Sequence, residues 1–393
     1  MKKKSLNARK LFFAVLLATA LVFLVTPSAF ADPPSIVYVD DGYSYGNADG
    51  HTWGVDAFNT IQAGINAVAP GGTVNVAAGI YNEKNILINK SVTILGDPGD
   101  SAPGPAVGAP IIDGGGDVAD AFDLAKGVYN VTIRGFEIRN FAASDWTNGT
   151  GVGVQAWVPS TSNITVSDNW FHDVGYGVMA GNDGSSAKYA LGTHTDWTVS
   201  NNIIERIYSI GVELTDTSNS IIQGNVIHLA PNAINYGPIG IFSWAHISQS
   251  NLTVSGNTID GTMCVYPAVY MYAWDDVAPS PNLDNVTITN NTISATGTPY
   301  QIYIRDIEGG TVTNVRVNYN NLTNSANSLK NLTAATIDAT NNWWGHASGP
   351  GGPDGRKSGK GGNVFGEVLW DPWLPQPVGH TPNYPVPPGL LRP

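Results

Sequence analysis

Three residues of this 393-residue sequence have side chains that suit acid–base chemistry on a sugar: the acid Glu213, the cation Arg305 and the phenol Tyr270. Glycoside hydrolysis requires two carboxyl groups about 5–10 Å apart, one as acid and one as base or nucleophile. Elimination from a uronic acid requires a cation against the substrate carboxylate and a base such as Tyr, Lys or Arg for the C5 proton. We therefore predict these three residues as catalytic and leave both reactions open.

Aromatic residues accompany these three in short segments where apolar residues alternate with other residues. A strand points successive side chains to opposite faces, so the apolar set predicts which residues face outward. The predicted outward set is Gln155, Met179, Glu213, Phe242, Tyr270 and Tyr303, with Trp157, Trp244, Tyr272 and Arg305 one step along.

Rows of aromatic rings stack on the flat apolar faces of sugars. We therefore predict substrate contacts from these side chains and from one acid at a strand end, namely Trp157, Phe242, Trp244, Tyr272, Tyr303 and Asp306. The alternative is that the long loops 181–195 and 274–285 fold back and bury the rings as a separate apolar cluster.

Metal sites have weaker support in the sequence. Asp275 and Asp276 are adjacent acids that could contribute to a Ca²⁺ site, and the alternative is that both are simply solvated. The histidines fall at different positions of the repeat described next, which argues against a zinc cluster. They are His172, His194, His228 and His246.

A recurring sequence motif positions all of these residues. It consists of Asn, a hydrophobic residue, Thr, then either Ile or Val, a few polar residues, and a second Asn. It reads NITVSDNWF from Asn163, NLTVSGNTI from Asn251 and NVTITNNTI from Asn285. A period of 20 to 35 residues without helical spacing predicts a solenoid of short strands. The second Asn of each copy is expected to stack in one column, formed by Asn169, Asn202, Asn225, Asn257, Asn291, Asn320 and Asn342.

These motifs make the chain resemble the right-handed parallel β-helix proteins, the pectin lyase-like superfamily. The resemblance implies an all-β, single-stranded right-handed parallel β-helix and no particular activity, because no catalytic motif of that superfamily is matched residue by residue. An amphipathic segment at 58–68 is expected to form a short helix that caps the N-terminal end of the stack. The Gly-rich segment 355–362 lacks the Lys-Ser/Thr pair of a phosphate-binding loop.

The N-terminus has the features of a secretory signal: Lys2, Lys3 and Lys4, an apolar run over 11–25, and a small-x-small site ending at Ala31. We predict a signal peptide at 1–31, a β-helix at 32–374 and a Pro-rich flexible tail at 375–393. Removing 1–31 leaves 14 Lys and Arg against 31 Asp and Glu, a net charge of −17. Such a surface repels nucleic acids and anionic membranes.

These features predict a secreted, monomeric protein whose partner is a polysaccharide. Two classes of function stay open. The first is a polysaccharide lyase or glycoside hydrolase with the aromatic residues along its cleft, and Ca²⁺ as a possible cofactor. The second is a non-catalytic surface or matrix protein with an adhesive, glycan-binding face. Cys264 is the single cysteine, so the fold has no intramolecular disulfide.

Overall fold

A computed structural model describes residues 32–96, 108–141, 151–158, 160–181, 192–229, 237–243, 247–262, 264–274 and 280–379. The predicted signal peptide and the last 14 residues of the predicted tail lie outside these ranges, as do Trp244, His246, Asp275 and Asp276. Within the described ranges no helix is long and apolar enough to cross a membrane.

Three parallel sheets form the body of the protein, as the repeat predicts, and each turn of the chain contributes strands to the sheets in succession. Sheet I contains Ile36–Val39, Ala57–Phe58, Gly72–Val76, Val92–Leu95, Tyr129–Arg134, Ser162–Ser167, His194–Ser200, Thr217–Ser218, Ser220–Gln223, Gln249–Ser255, Asn282–Thr289, Thr311–Asn318, Ile337–Asp338 and Val368–Leu369. Sheet II contains Ile80–Tyr81, Ile111–Asp113, Glu137–Phe141, Trp170–Val174, Ile203–Ile207, Val226–Leu229, Thr258–Asp260, Thr292–Ser294 and Asn321–Thr323. Sheet III contains Ile86–Ile88, Phe122–Leu124, Val152–Ala156, Tyr176–Ala180, Ile210–Thr215, Gly237–Ser243, Val269–Trp274, Ile302–Ile307, Asn327–Asn331, Pro350–Gly351 and Gly361–Phe365.

The predicted Asn column is present in the turn between sheets I and II. We call the seven Asn residues of this column the Asn ladder. From Asn202 onward, each accepts, through Oδ1, the backbone N–H of the ladder Asn one coil earlier, at 3.0 Å from Asn169 to Asn202 and 2.9 Å from Asn225 to Asn257. Asn169 accepts the backbone N–H of Phe136 at 3.0 Å. Each Nδ2 donates to a backbone carbonyl, for example that of Asn257 to Ile222 at 2.9 Å. The ladder residues are at most 1% exposed, so these amides satisfy backbone groups that water does not reach.

The left-handed residue in these turns is the one that precedes the ladder Asn. Asn201 and Asn290 have φ of 55° and 57°, and Gly224 and Gly256 have φ of 67° and 65° at the matching place. Asn and Gly tolerate this conformation best, which explains their recurrence in pairs.

A short helix, α1 (Ile61–Ala67), falls within the predicted segment 58–68. It begins at Ile61 because Thr60 accepts the N–H of Ala63 and the carboxylate of Glu83 accepts the N–H of Ile61 and of Gln62. Ile61 and Ile65 are fully buried in the main core. That this helix caps the coil stack stays a prediction.

Candidate functional site

The predicted outward residues lie on the outer face of sheet III, where the strand register arranges them in two columns. The first column is Asp123, Gln155, Met179, Glu213, Gly240, Tyr270, Tyr303 and Lys330. The second is Thr215, Phe242, Tyr272 and Arg305. We call these two columns, together with Trp157 and Tyr300 beside them, the aromatic face.

Phe242 is in the second column, although the sequence placed it in the first. Gly240 holds the expected position, and a Cβ atom there would come within 2.5 Å of the Phe242 ring. The ring therefore lies across Gly240 and fills the space that this glycine leaves beside Glu213. It stacks on Tyr272 at a centroid distance of 4.4 Å and meets Tyr270 edge-on at 5.7 Å.

The rings continue along the stack from this point. Tyr270 stacks on Tyr303 at 5.5 Å, and Tyr303 stacks on Tyr300 at 5.5 Å. The interplanar angles of these two pairs, 16° and 19°, are close to parallel. Aromatic side chains of consecutive coils thus form one continuous row.

Burial divides this row into a supporting layer and an accessible layer. Phe242 and Tyr270 are only 4% and 6% exposed, and they pack with Met179 in an apolar cluster separate from the main core. Tyr272 and Tyr303 are partly exposed, and Trp157 is 42% exposed. The accessible rings are therefore Trp157, Tyr272 and Tyr303, whereas Phe242 and Tyr270 are buried. Residues 182–191 and 275–279 of the two loops in the alternative lie outside the described residues.

Glu213 is the acid at the centre of the face. Its Oε1 accepts a hydrogen bond from Thr215 Oγ1 at 2.8 Å, and burial raises its pKa from 4.5 to about 7. Burial disfavours the charged form of a carboxyl group more than the single hydroxyl donor stabilises it. A carboxyl group that is partly protonated near neutral pH suits a general acid.

A second carboxyl group with a raised pKa lies at the N-terminal end of the face, and sequence reasoning missed it. Burial, and to a smaller extent the charge of Asp123, raises the pKa of Asp120 to about 7, although Val152 donates its N–H to Asp120 at 3.0 Å. With its amide oriented to donate, Gln155 Nε2 is 2.7 Å from Asp120 Oδ2. The sequence could have predicted the neighbouring Asp123 as an outward residue, because it lies between the buried Phe122 and Leu124 in a period-two pattern.

Two cations lie at the opposite end of the face. Arg305 Nη1 donates to Tyr270 Oη at 3.4 Å, and Lys330 Nζ lies 5.1 Å from the ring centroid of Tyr300 and 5.6 Å from that of Tyr303. Burial raises the pKa of Tyr270 although Arg305 opposes the shift. Neither Arg305 nor Lys330 forms an ion pair with another described residue.

The structure does not bring Asp306 to the aromatic face. Asp306 pairs with Ala273, whose side chain is buried, so it alternates with the outward Arg305. Its Oδ1 is buried without a hydrogen-bond partner among the described residues, and burial raises its pKa. Trp244, Asp275 and Asp276 lie outside the described residues. Among the residues that are described, no group of three or more His, Cys, Asp or Glu side chains could hold a metal ion.

A separate charged cluster lies on the outer face of sheet II, and sequence reasoning missed it as well. Two of the histidines predicted at different repeat positions share one column there, because His172 pairs with Glu205 and Glu205 pairs with His228. His172 Nε2 is 3.2 Å from Glu137 Oε1, and its Nδ1 is 2.6 Å from Asp173 Oδ2. Arg139 pairs with Glu137, and Arg206 pairs with Asp173 and Glu205, so the acids of this cluster have partners within it and we infer a structural role.

No protein-family model and no curated protein matches the sequence. Among solved structures, a GH136 lacto-N-biosidase from Eubacterium ramulus is similar over 92% of this chain and 70% of that chain, with a TM-score of 0.50 and 12% identity. The chain is a right-handed parallel β-helix.

Two further structures are similar at lower TM-scores. An alginate lyase from Paenibacillus sp. matches over 78% of this chain and 95% of that chain, with a TM-score of 0.43 and 13% identity. PfbA, a surface adhesin of Streptococcus pneumoniae, matches over 72% and 84%, with a TM-score of 0.42 and 13% identity. At these identities the likeness concerns the fold, so a function for this chain has to be argued from its own residues.

Proposed function

We propose that the protein binds an extended polysaccharide along the aromatic face, outside the cell after removal of residues 1–31. The observation that carries the proposal is the accessible rings Trp157, Tyr272 and Tyr303 on the same face as an acid and two cations without ion-pair partners in the described chain. Sugar rings stack on aromatic side chains, and successive coils repeat at about 4.8 Å. A polymer lying along the stack would therefore meet a ring or a polar group on several consecutive coils.

Polysaccharide affinity of single-ring variants tests this proposal. We expect Tyr303→Ala to weaken binding by about 1–2 kcal/mol, the scale of one stacked aromatic contact. Tyr129, which is 55% exposed on sheet I, provides a control, because Tyr129→Ala makes the same replacement at a more accessible ring on another face. Calorimetry against neutral and acidic polysaccharides would measure both. Equal losses in the two variants, or none in Tyr303→Ala, would refute the assignment of the face.

A second candidate function is cleavage of the bound polymer, and the Tyr270–Arg305 contact favours elimination. Arg305 would neutralise the carboxylate of an acidic sugar, and a phenolate beside it would take the C5 proton as the glycosidic oxygen leaves C4. Tyr303, the accessible phenol stacked on the buried Tyr270, is the candidate for this base. Hydrolysis by Glu213 with Asp123 has less support because three strand spacings, about 14 Å, separate the two residues, which exceeds the 5–10 Å that hydrolysis requires. Asp120, which contacts Gln155 two spacings from Glu213, is the nearer carboxyl group for such a pair.

Product formation separates the two candidates. A lyase would generate an unsaturated product that absorbs in the ultraviolet, and Arg305→Gln would lower its rate about a hundredfold or more. A hydrolase would instead release reducing ends without that absorbance, and Glu213→Gln would remove its acid. A protein that only binds would form neither product, and Glu213→Gln would leave its affinity nearly unchanged.

A further inference from the structure

Three exposed cations lie within five residues near the C-terminal end of the β-helix. Arg356, Lys357 and Lys360 belong to the segment between the strands Pro350–Gly351 and Gly361–Phe365, which we call the cationic loop. The chain as a whole carries a net charge of −12. The positive charge of this loop therefore contrasts with the net negative charge of the chain.

These cations also differ from other cations of the protein in lacking acidic partners. Arg134 pairs with Asp168 at 2.9 Å, and Arg139 pairs with Asp113 at 2.8 Å. Across the described ranges, no ion pair involves any of the three loop cations. The nearest acid in sequence, Asp354, accepts the backbone N–H of Gly366 at 2.8 Å. The positive charge of the loop is thus available to an external anion.

Internal contacts hold the loop in one conformation. The Lys360 N–H donates to Ser348 Oγ at 2.9 Å, and the Arg356 N–H donates to the Pro350 carbonyl at 3.0 Å. A Cβ atom at Gly359 would overlap that same carbonyl, so this close turn requires glycine. The Arg356 guanidinium lies 4.9 Å from the ring centroid of Trp373. Because the loop is already ordered, binding would cost little further conformational entropy.

The strand that follows the cationic loop lies next to the C-terminal end of the aromatic face. Phe365, at the end of the strand that follows the loop, pairs in register with Lys330. The Phe365 ring meets Tyr300 edge-on at 5.7 Å, and Lys330 lies over Tyr300. A polymer leaving the face past Lys330 would next reach the coil that carries the loop.

We propose that the cationic loop is a second binding surface, and that it holds the carboxylate or sulfate groups of an acidic polysaccharide. Three cations on one ordered loop match a polymer with repeated anionic groups better than a single small anion. Membrane recognition through basic residues commonly uses clusters of about four to eight Lys and Arg.

The test uses residues 32–393, the chain without the predicted signal peptide. Its affinity is measured for polygalacturonate, dextran sulfate and neutral dextran. The double variant Lys357→Gln/Lys360→Gln removes two cations whose side chains make no hydrogen bond or ion pair in the described structure. The control Lys126→Gln/Arg316→Gln removes two exposed cations elsewhere, so both variants have the same net charge. We expect the loop variant to bind the acidic polymers about tenfold more weakly, with a smaller loss of affinity on adding salt.

The control is expected to bind the acidic polymers like the wild type, and neutral dextran should not distinguish the three proteins. Tyr303→Ala should keep the salt-sensitive component of binding to the acidic polymers. The role of the loop can therefore be confirmed even if the aromatic face proves not to bind polysaccharide. Equal weakening in both double variants would overturn the proposal, as would a wild type that ignores both acidic polymers. Tighter binding to phosphatidylglycerol vesicles or to duplex DNA than to either polymer would overturn the assignment to a polysaccharide.

Discussion

Replacement of Glu213 by Gln tests the environment of the central acid through the pH dependence of stability. Burial raises the pKa of Glu213 from 4.5 to about 7, so the folded protein keeps this proton over a range where the unfolded chain has lost it. The stability linked to the proton is fully present below about pH 4.5 and is lost as the pH rises through about 7. Glutamine keeps the shape of the protonated acid and cannot ionise.

The size of the effect follows from the shift. A difference of about 2.5 pKa units corresponds to at most about 3 kcal/mol. Because Glu213 retains some solvent contact, we expect a smaller value of about 1–2 kcal/mol. Glu213→Gln should therefore match the wild type near pH 4.5 and exceed its free energy of unfolding by this amount at pH 8.

Urea unfolding at pH 4.5, 6 and 8 would measure this difference. Glu367→Gln provides the control, because it makes the same replacement at an exposed position. A constant difference between Glu213→Gln and wild type across the three pH values would refute the reasoning. It would mean that the Glu213 carboxyl group is ionised at little cost in the folded protein.

Three further predictions concern the fold and the supporting layer of the site. Asn257→Ala removes the acceptor of the Asn225 N–H and two amide donors, so it should cost about 3–4 kcal/mol in urea unfolding, whereas the exposed Asn251→Gly should cost under about 1 kcal/mol. Gly240→Ala forces its new Cβ against Phe242 and should lower the midpoint of thermal unfolding by the equivalent of about 1–3 kcal/mol; an unchanged midpoint would contradict that packing. Burial lowers the pKa of His194 from 6.5 to about 4, so the stability linked to its neutral form should decline as pH falls from about 6.5 to 4, and the difference in unfolding free energy between wild type and His194→Gln should follow that decline.

The repeat was readable because its signal is local and is renewed in every coil. A buried Asn must satisfy backbone groups of the neighbouring coil, so its spacing in the sequence measures the length of each turn of the chain. Asn169 and Asn202 were placed in one column from that spacing alone, and the structure joins them by a 3.0 Å hydrogen bond.

The site was only partly readable because its geometry depends on register and packing between coils. Alternation correctly placed Tyr270 and Tyr303 next to each other in one column. Alternation placed Phe242 in the wrong column, because Gly240, two residues earlier, occupies the expected position. A period-two pattern gives the face of a side chain but not the direction in which its ring lies on the sheet. Lys330 was missed because a lysine in a polar strand resembles any solvated residue until the Tyr300 and Tyr303 rings beneath it are known.

The regular Asn ladder also allows the protein to be lengthened or shortened by whole coils. Each ladder Asn bonds the same groups on its neighbours, whether 23 residues separate the two, as from Asn202 to Asn225, or 34, as from Asn257 to Asn291. Excision of one complete segment between equivalent ladder positions would bring two compatible rungs together, while a cut of any other length would place an unmatched residue in the column. Duplication or loss of whole segments is therefore a route by which such a chain can gain or lose binding positions and keep its architecture.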